Sequence, residues 1–273
     1  MGWHLNDTAK TSAGILACGS NGAGPPLVLA HGWPWSSWAW SLVIPVLSQH
    51  FTVHWYDMPG FGQSLGADQR ATSLDVQGEI FAEMVAHWNL ERPAIWAHDF
   101  GGTVTLRARL LHGVDVGPHL LMNVVAMRPW GSAFFEHVGR HIEAFTGLPP
   151  HIHQAVVEAY VRGAIVSKLD AETVRSLTEP WQTEAGQTAF YAQFAQADEK
   201  YTTEIEPDYA TLTGAVHVLW GAEDPWIPLA RGTKLAKAIG CEIETMPGLG
   251  HLAQLEDPAG TGDRALAFLT QGH

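Results

Sequence analysis

Three residue types in this sequence could act together on a substrate: Asp99, Asp224 and His251. Asp99 closes a short apolar run, Ala94-Ile95-Trp96-Ala97-His98, and is followed by Phe100-Gly101-Gly102 and a stretch, 103–111, that reads as a helix. Small residues stand two before it (Ala97) and two after it (Gly101). That spacing suits a strand-to-helix turn so tight that only small neighbours fit, with the central side chain pushed out as a nucleophile. Such an elbow usually carries serine, which needs a base to remove its proton before it attacks. A carboxylate is already ionised near neutral pH and can attack a tetrahedral carbon from behind, displacing a halide or opening a strained ring. The product would be an alkyl ester of Asp99. His251, oriented by Asp224, would then activate water against the ester carbonyl.

Each of the three has a plainer reading. Aspartate is a favoured helix cap, which would account for Asp99 ahead of its glycines and for Asp224 ahead of Pro225. Glu223 is a rival acid, and His251 by itself is an ordinary loop histidine. Their order along the chain and their placement at successive strand ends favour the catalytic reading.

The elements that must position them alternate. An antiparallel strand pair is expected near residues 14–18. Strands follow at 26–30, 51–56, 94–98, 119–127, 215–220 and 241–246, and helices at 40–48, 73–88, 103–111, 229–239 and 261–270. Strands alternating with helices predict an α/β protein with a mostly parallel sheet and helices on both faces. Residues 132–210 break the pattern: 133–145, 151–165, 171–177 and 187–198 all read as helices, with breaks at Gly147-Leu148-Pro149-Pro150 and Glu179-Pro180. The expected organisation is a core of residues 1–131 and 211–273 with a helical cap, 132–210, inserted over the strand ends.

Composition narrows the partners. With 273 residues and 46% hydrophobic content, one large core can be buried. A net charge of −13 argues against a nucleic-acid partner. No apolar run approaches the length of a membrane span, and no secretion signal is evident, so a cytoplasmic protein without a membrane partner is expected. Cys18 and Cys241 are expected to be reduced structural thiols. His137 with His141, and His151 with His153, are expected to be solvated histidines of the helical region rather than metal ligands, and no metal is expected. Twelve tryptophans point to an aromatic pocket. Whether the chain forms a homodimer is left open.

Five motifs in order carry a family resemblance: His31-Gly32-Trp33-Pro34, the Asp57-Met-Pro-Gly-Phe-Gly-Gln-Ser64 stretch, the elbow, Gly221-Ala222-Glu223-Asp224 and Gly250-His251. Together they resemble the α/β-hydrolase superfamily across nearly the whole chain. Within it the aspartate elbow is similar to the branch of epoxide hydrolases and haloalkane or haloacetate dehalogenases. The resemblance implies an α/β-hydrolase fold, a cis bond before Pro34, an oxyanion hole from the backbone N–H groups of Trp33 and Phe100, no cofactor, and a small apolar electrophile as substrate.

It also implies a residue in the cap that assists the leaving group. Tyr191 is the first candidate, Tyr160 the second and Trp181 a third, while Trp35 and Trp130 are candidate pocket walls. Two departures count against haloalkane dehalogenation: Trp33 where a halide-binding asparagine often stands, and Phe100 where dehalogenases, and many epoxide hydrolases as well, have an indole donor. Epoxide opening is therefore preferred, with dehalogenation as the alternative. A binding protein, or an enzyme in which Asp99 is not a nucleophile, on the same scaffold also remains open.

Overall fold

The computed structural model describes residues 3–67, 72–167 and 169–272. Eight strands form one sheet: β1 (Asp7–Thr11), β2 (Gly14–Asn21), β3 (Pro26–Ala30), β4 (Thr52–Tyr56), β5 (Ala94–Asp99), β6 (His119–Val124), β7 (Val216–Gly221) and β8 (Ile243–Met246). Their order is β1-β2-β4-β3-β5-β6-β7-β8. β2 runs antiparallel to β1 and β4, and the strands from β4 onward in the sheet pair in parallel. The chain leaves β3 for β4 on one side and returns to β5 on the other, so the strand order reverses beside β3 and β5. A crevice outside the carboxyl ends of strands at such a reversal is where open α/β sheets place ligands.

The apolar runs are continuous where the strands are covered on both faces. Every residue of β5 and β6 is buried. Along β3, Leu27 and Leu29 join one apolar cluster while Val28 and Ala30 join the other, the period-two alternation of a strand between two helical layers. One layer packs α1 (Leu74–His87) beside α2 (Phe100–Leu111), with Ile80, Phe81, Met84 and Val104 in the cluster of Val28 and Ala30. On the other face Val43, Ile44 and Leu47 meet Ala265 and Leu269 of the last long helix, Pro258–Leu269.

Between β6 and β7 every described regular element is helical, from Ala133–Arg140 to the 3-10 turn Glu206–Thr211. The helix expected at 133–145 divides in two at His141, whose φ of −129° and ψ of 37° leave the helical region. The one expected at 40–48 is a 3-10 turn, Ser37–Trp40, and a single helical turn, Ile44–Leu47, that starts again with Pro45 in its first positions. A proline there lacks the N–H that would continue an earlier helix. The strand expected to reach 127 stops at Val124, because Asn123 turns to a φ of +46°. Cys18 and Cys241 are both free. Among the described residues no helix is long and apolar enough to cross a membrane.

Candidate active site

Asp99 sits at the last position of β5 with φ 50° and ψ −121°, outside the regions a side-chain-bearing residue ordinarily adopts. The turn is possible because its neighbours are bare. A Cβ on Gly101 would run into the carbonyl oxygens of Ala30 and His31, and one on Gly32 would overlap the Asp99 side chain. The Asp99 carboxylate is thereby pressed against the loop after β3. Its Oδ1 accepts the Trp33 backbone N–H at 2.7 Å. Phe100, the first residue of α2, has no intrahelical acceptor for its N–H, and its nitrogen also lies against Gly32. His31 holds the loop in place: its Nε2 accepts the Met58 N–H at 3.0 Å, which leaves Nδ1 to donate to the Gly32 carbonyl at 3.1 Å. The Asp57 motif has a comparable bracing role, with Oδ1 accepting from both the N–H and the hydroxyl of Ser37 and Oδ2 from Gln63 N–H.

The other Asp99 oxygen, Oδ2, lies 3.4 Å from His251 Nε2. That separation is long for a strong hydrogen bond, and it keeps the imidazole edge within reach of the carboxylate. His251 Nδ1 donates to Asp224 Oδ2 at 2.8 Å. Asp224 is saturated with donors: Oδ1 accepts the N–H groups of Trp226 (2.8 Å) and Ile227 (2.9 Å), and Oδ2 also accepts Asn123 Nδ2 at 2.6 Å. Burial opposes a charge on His251, but the carboxylates of Asp224 and Asp99 outweigh it and push the imidazole up to about 10. His98, immediately before Asp99, bonds the His251 carbonyl through Nε2 at 2.8 Å with the two rings 4.7 Å apart. Burial foremost, then the charge of His251, hold His98 well below the usual imidazole range.

A cavity of about 40 Å³ opens over Asp99, walled by Trp33, Val125, Phe135, Tyr160 and Trp226 among others. The Tyr160 hydroxyl accepts the Trp33 indole N–H at 3.2 Å. Burial raises the phenol well above its ordinary value, and the Asp99 charge adds to this against the lowering by Trp33. A phenol in that state is a proton donor rather than a phenolate.

Residues 27–264 match the alpha/beta hydrolase family. The chain belongs to that family. An alpha/beta hydrolase fold protein from Burkholderia ambifaria superposes with a TM-score of 0.93 at 38% identity, covering 98% of this chain and 99% of that one. The chain is also similar to a soluble epoxide hydrolase of Corynebacterium sp. (strain C12), 41% identical over 87 residues, 30% of this chain and 29% of that protein. A pimeloyl-acyl-carrier protein methyl ester esterase of Vibrio cholerae is 40% identical over 93 residues, 34% of each chain. The matched stretch thus spans about a third of these two relatives.

In this alpha/beta hydrolase, Asp99, Asp224, His251, Trp33 and Phe100 come together at the strand ends, while the residues expected from the helical region separate. Tyr160, the second candidate, lines the Asp99 cavity. Tyr191, the first, does not: its hydroxyl bonds His153 Nδ1 at 3.0 Å and its ring is buried beside Phe190 and Phe194. Trp181 is likewise turned away, with its indole donating to the Pro34 carbonyl at 2.8 Å. Trp35 does not line the cavity but backs its wall, stacked 5.6 Å from Trp226 and 6.2 Å from His251. Trp130 packs its ring against the edge of Phe100 at 5.7 Å and lines a neighbouring cavity instead. His153 departs from the expected solvated histidine: it is buried between the Tyr191 hydroxyl and the Trp181 carbonyl, whereas His137, His141 and His151 are exposed.

Asn123 belongs to the site although no motif in the sequence contains it. It bridges the Gly221 N–H, accepted by Oδ1 at 2.9 Å, and the Asp224 oxygen that holds His251. The pairing of β5 with β6 skips it, so that Asp99 faces Val124. Its signal in the sequence is faint: a single amide in the otherwise apolar end of Leu120-Leu-Met-Asn-Val124.

Proposed function

We propose that this alpha/beta hydrolase attacks an electrophilic sp3 carbon through an Asp99 alkyl ester, with an epoxide as the substrate its cavity fits best. The observation that carries the reading is the pairing, across one small cavity, of the Asp99 carboxylate with the Tyr160 hydroxyl. Asp99 Oδ2 attacks the ring carbon, the C–O bond breaks, and the leaving alkoxide takes the Tyr160 proton. The Trp33 indole N–H, already directed at that oxygen, stabilises the phenolate that remains. Such proton donation contributes about 100-fold to 10,000-fold in rate where it has been measured.

Asp99 Oδ1 keeps its hydrogen bond to Trp33 N–H and becomes the ester carbonyl oxygen. Alkylation also removes the Asp99 charge, one of the two that hold the proton on His251. His251 then falls toward its neutral form and can take a proton from water attacking Asp99 Cγ. Trp33 and Phe100 N–H receive the oxyanion, and Asp224 stabilises the imidazolium that forms. The imidazolium passes its proton to the departing diol oxygen, the proton that His251 sheds on alkylation restores the Tyr160 phenol, and Asp99 returns to a carboxylate with one oxygen from water, its acid proton going back to His251.

An ester substrate would call for a hydroxyl nucleophile at position 99, where this chain has a carboxylate. Dehalogenation is the second reading, since the Trp33 and Tyr160 donors could also receive a halide. A haloacetate fits less well, because among the described residues the lining of the cavity over Asp99 includes no lysine or arginine for its carboxylate. The helices between β6 and β7 act in this reading as a cap that supplies Tyr160 and excludes water. A single turnover in heavy-oxygen water tests it. The first diol formed should carry an unlabelled Asp99 oxygen, with the label left in the peptide containing Asp99. Label appearing directly in that diol would exclude the ester.

A further inference from the structure

The cavity over Asp99, about 40 Å³, holds only the reacting atoms, whereas pockets for whole small molecules are about 300 Å³ or more. Two larger cavities flank it. One, about 370 Å³, shares Ser132, Tyr160 and Trp226 with it; the other, about 590 Å³, shares Gly131 and Phe135. Their linings differ in kind. The first is completed by Phe134, Val156, Ala159 and Gly163 and carries no charged side chain. The second carries the carboxylates of Glu136 and Glu199.

The uncharged cavity continues along a helix. On Pro150–Arg162 and the residue that caps it, Ile152, Val156, Ala159 and Gly163 fall at spacings of four, three and four, one stripe beside the buried face. Phe134, in the cavity lining, is 37% exposed, and Ile152, one helical turn beyond Val156, is 42% exposed, apolar surface left open to solvent. The ion pair Glu158–Arg162 lies on another side of the helix. From Gly163 to Ile152 the stripe runs about 16 Å. Tyr160 lies where the two cavities meet, and its ring packs 4.6 Å from Trp226.

We propose that this groove holds the apolar tail of the substrate, and that the enzyme therefore selects terminal epoxides bearing a long alkyl chain. The inference rests on the Asp99 ester reading for the word epoxide. It rests on the groove alone for the tail. The small chamber leaves no room for a second bulky substituent on the carbon attacked, so the ring is terminal. Each methylene laid in the groove strengthens binding by roughly fourfold when fully buried.

The test compares propylene oxide with decene oxide in the wild type, Ala159→Trp and Ile152→Glu. Ala159 is exposed on the helix, so the indole fills the groove without entering the core. The wild type should favour decene oxide in kcat/KM by at least about tenfold, through KM. Ala159→Trp should abolish that preference by costing decene oxide at least about tenfold more than propylene oxide, and Ile152→Glu should cost decene oxide more than propylene oxide. Equal preference in the wild type, or an equal loss for both oxides in Ala159→Trp, overturns the groove. Calorimetric binding of decanediol and propanediol separates the two levels of the account. If neither oxide is turned over, the ester reading fails, while decanediol bound tightly by the wild type and at least about tenfold more weakly by Ala159→Trp still supports the tail site. Decanediol bound no better than propanediol, or equally by both proteins, overturns it.

Discussion

The strand ends and the helical segment between β6 and β7 hold their polar groups in opposite ways. At the strand ends the candidate catalytic groups are fixed by hydrogen bonds from the surrounding core: Asp224 by two backbone N–H groups and an asparagine side chain, Asp99 by the Trp33 N–H, His251 by the Asp224 carboxylate and through its carbonyl by the His98 side chain. In the helical segment the aromatic residues hold one another, and the polar atoms are tied off in pairs such as His153 with Tyr191. Within that segment Tyr160 reaches the Asp99 cavity through contact with Trp33, a residue of the core. In the proposed reaction the chemistry therefore belongs to the core, and the electrophile is chosen by how one helix is turned.

The largest test of that division is Asp99→Ala, which should lower epoxide hydrolysis by about 10,000-fold or more with the circular dichroism spectrum unchanged, since alanine keeps the Cβ and the turn stays as it is. A variant retaining appreciable turnover would place the nucleophile elsewhere. Next comes the contrast between two tyrosines. Tyr160→Phe should cut the rate of ester formation, followed by rapid quench, about 100-fold or more. Tyr191→Phe should leave that rate within about twofold while costing about 1 kcal/mol of stability through the orphaned His153, read by denaturant titration. The reverse pattern would undo the assignment of the cavity.

That contrast also marks how far the sequence could be read. The elbow is local: an apolar run, an aspartate and two glycines within ten residues dictate the turn, and the apolar strands before Asp224 and His251 put them at the same sheet edge. Which tyrosine faces Asp99 is not local. It depends on the rotation of Pro150–Arg162, and that is set by partners such as Trp33 and Trp226, 127 and 66 positions away along the chain. The sequence around His153 suggests a solvated residue because its two partners, the Tyr191 hydroxyl and the Trp181 carbonyl, lie 38 and 28 positions further on. Asn123 escaped for a related reason, since its value lies in reaching Asp224, 101 positions distant. The motif at 31–34 and the acid at 224 were legible because each closes a strand.

Smaller effects sharpen the core's side of the comparison. Asn123→Ala removes one donor from the Asp224 oxygen that holds His251, and it should slow ester breakdown about tenfold while leaving ester formation near the wild-type rate. Equal slowing of both steps would mean that the loss is structural. The smallest effect is in the titration of His251. Its proton is held by Asp224 and Asp99 up to about 10, above the ordinary value of 6.5. The stability this contributes is therefore complete below about 6.5 and is lost as pH rises through about 10. In Asp99→Ala one of the two charges is gone, so the imidazole resonance, followed by NMR, should titrate below the wild-type midpoint. An unchanged midpoint would mean that Asp99 does not sense His251 and that alkylation cannot release its proton.

The central claim is that Asp99 becomes an ester, and His251→Gln tests it most directly. With the base removed, ester formation should continue and hydrolysis should stop, so incubation with decene oxide should shift the intact mass by one epoxide and peptide mapping should place the addition on the peptide containing Asp99. No adduct there with any epoxide or haloalkane that the wild type consumes would contradict the account.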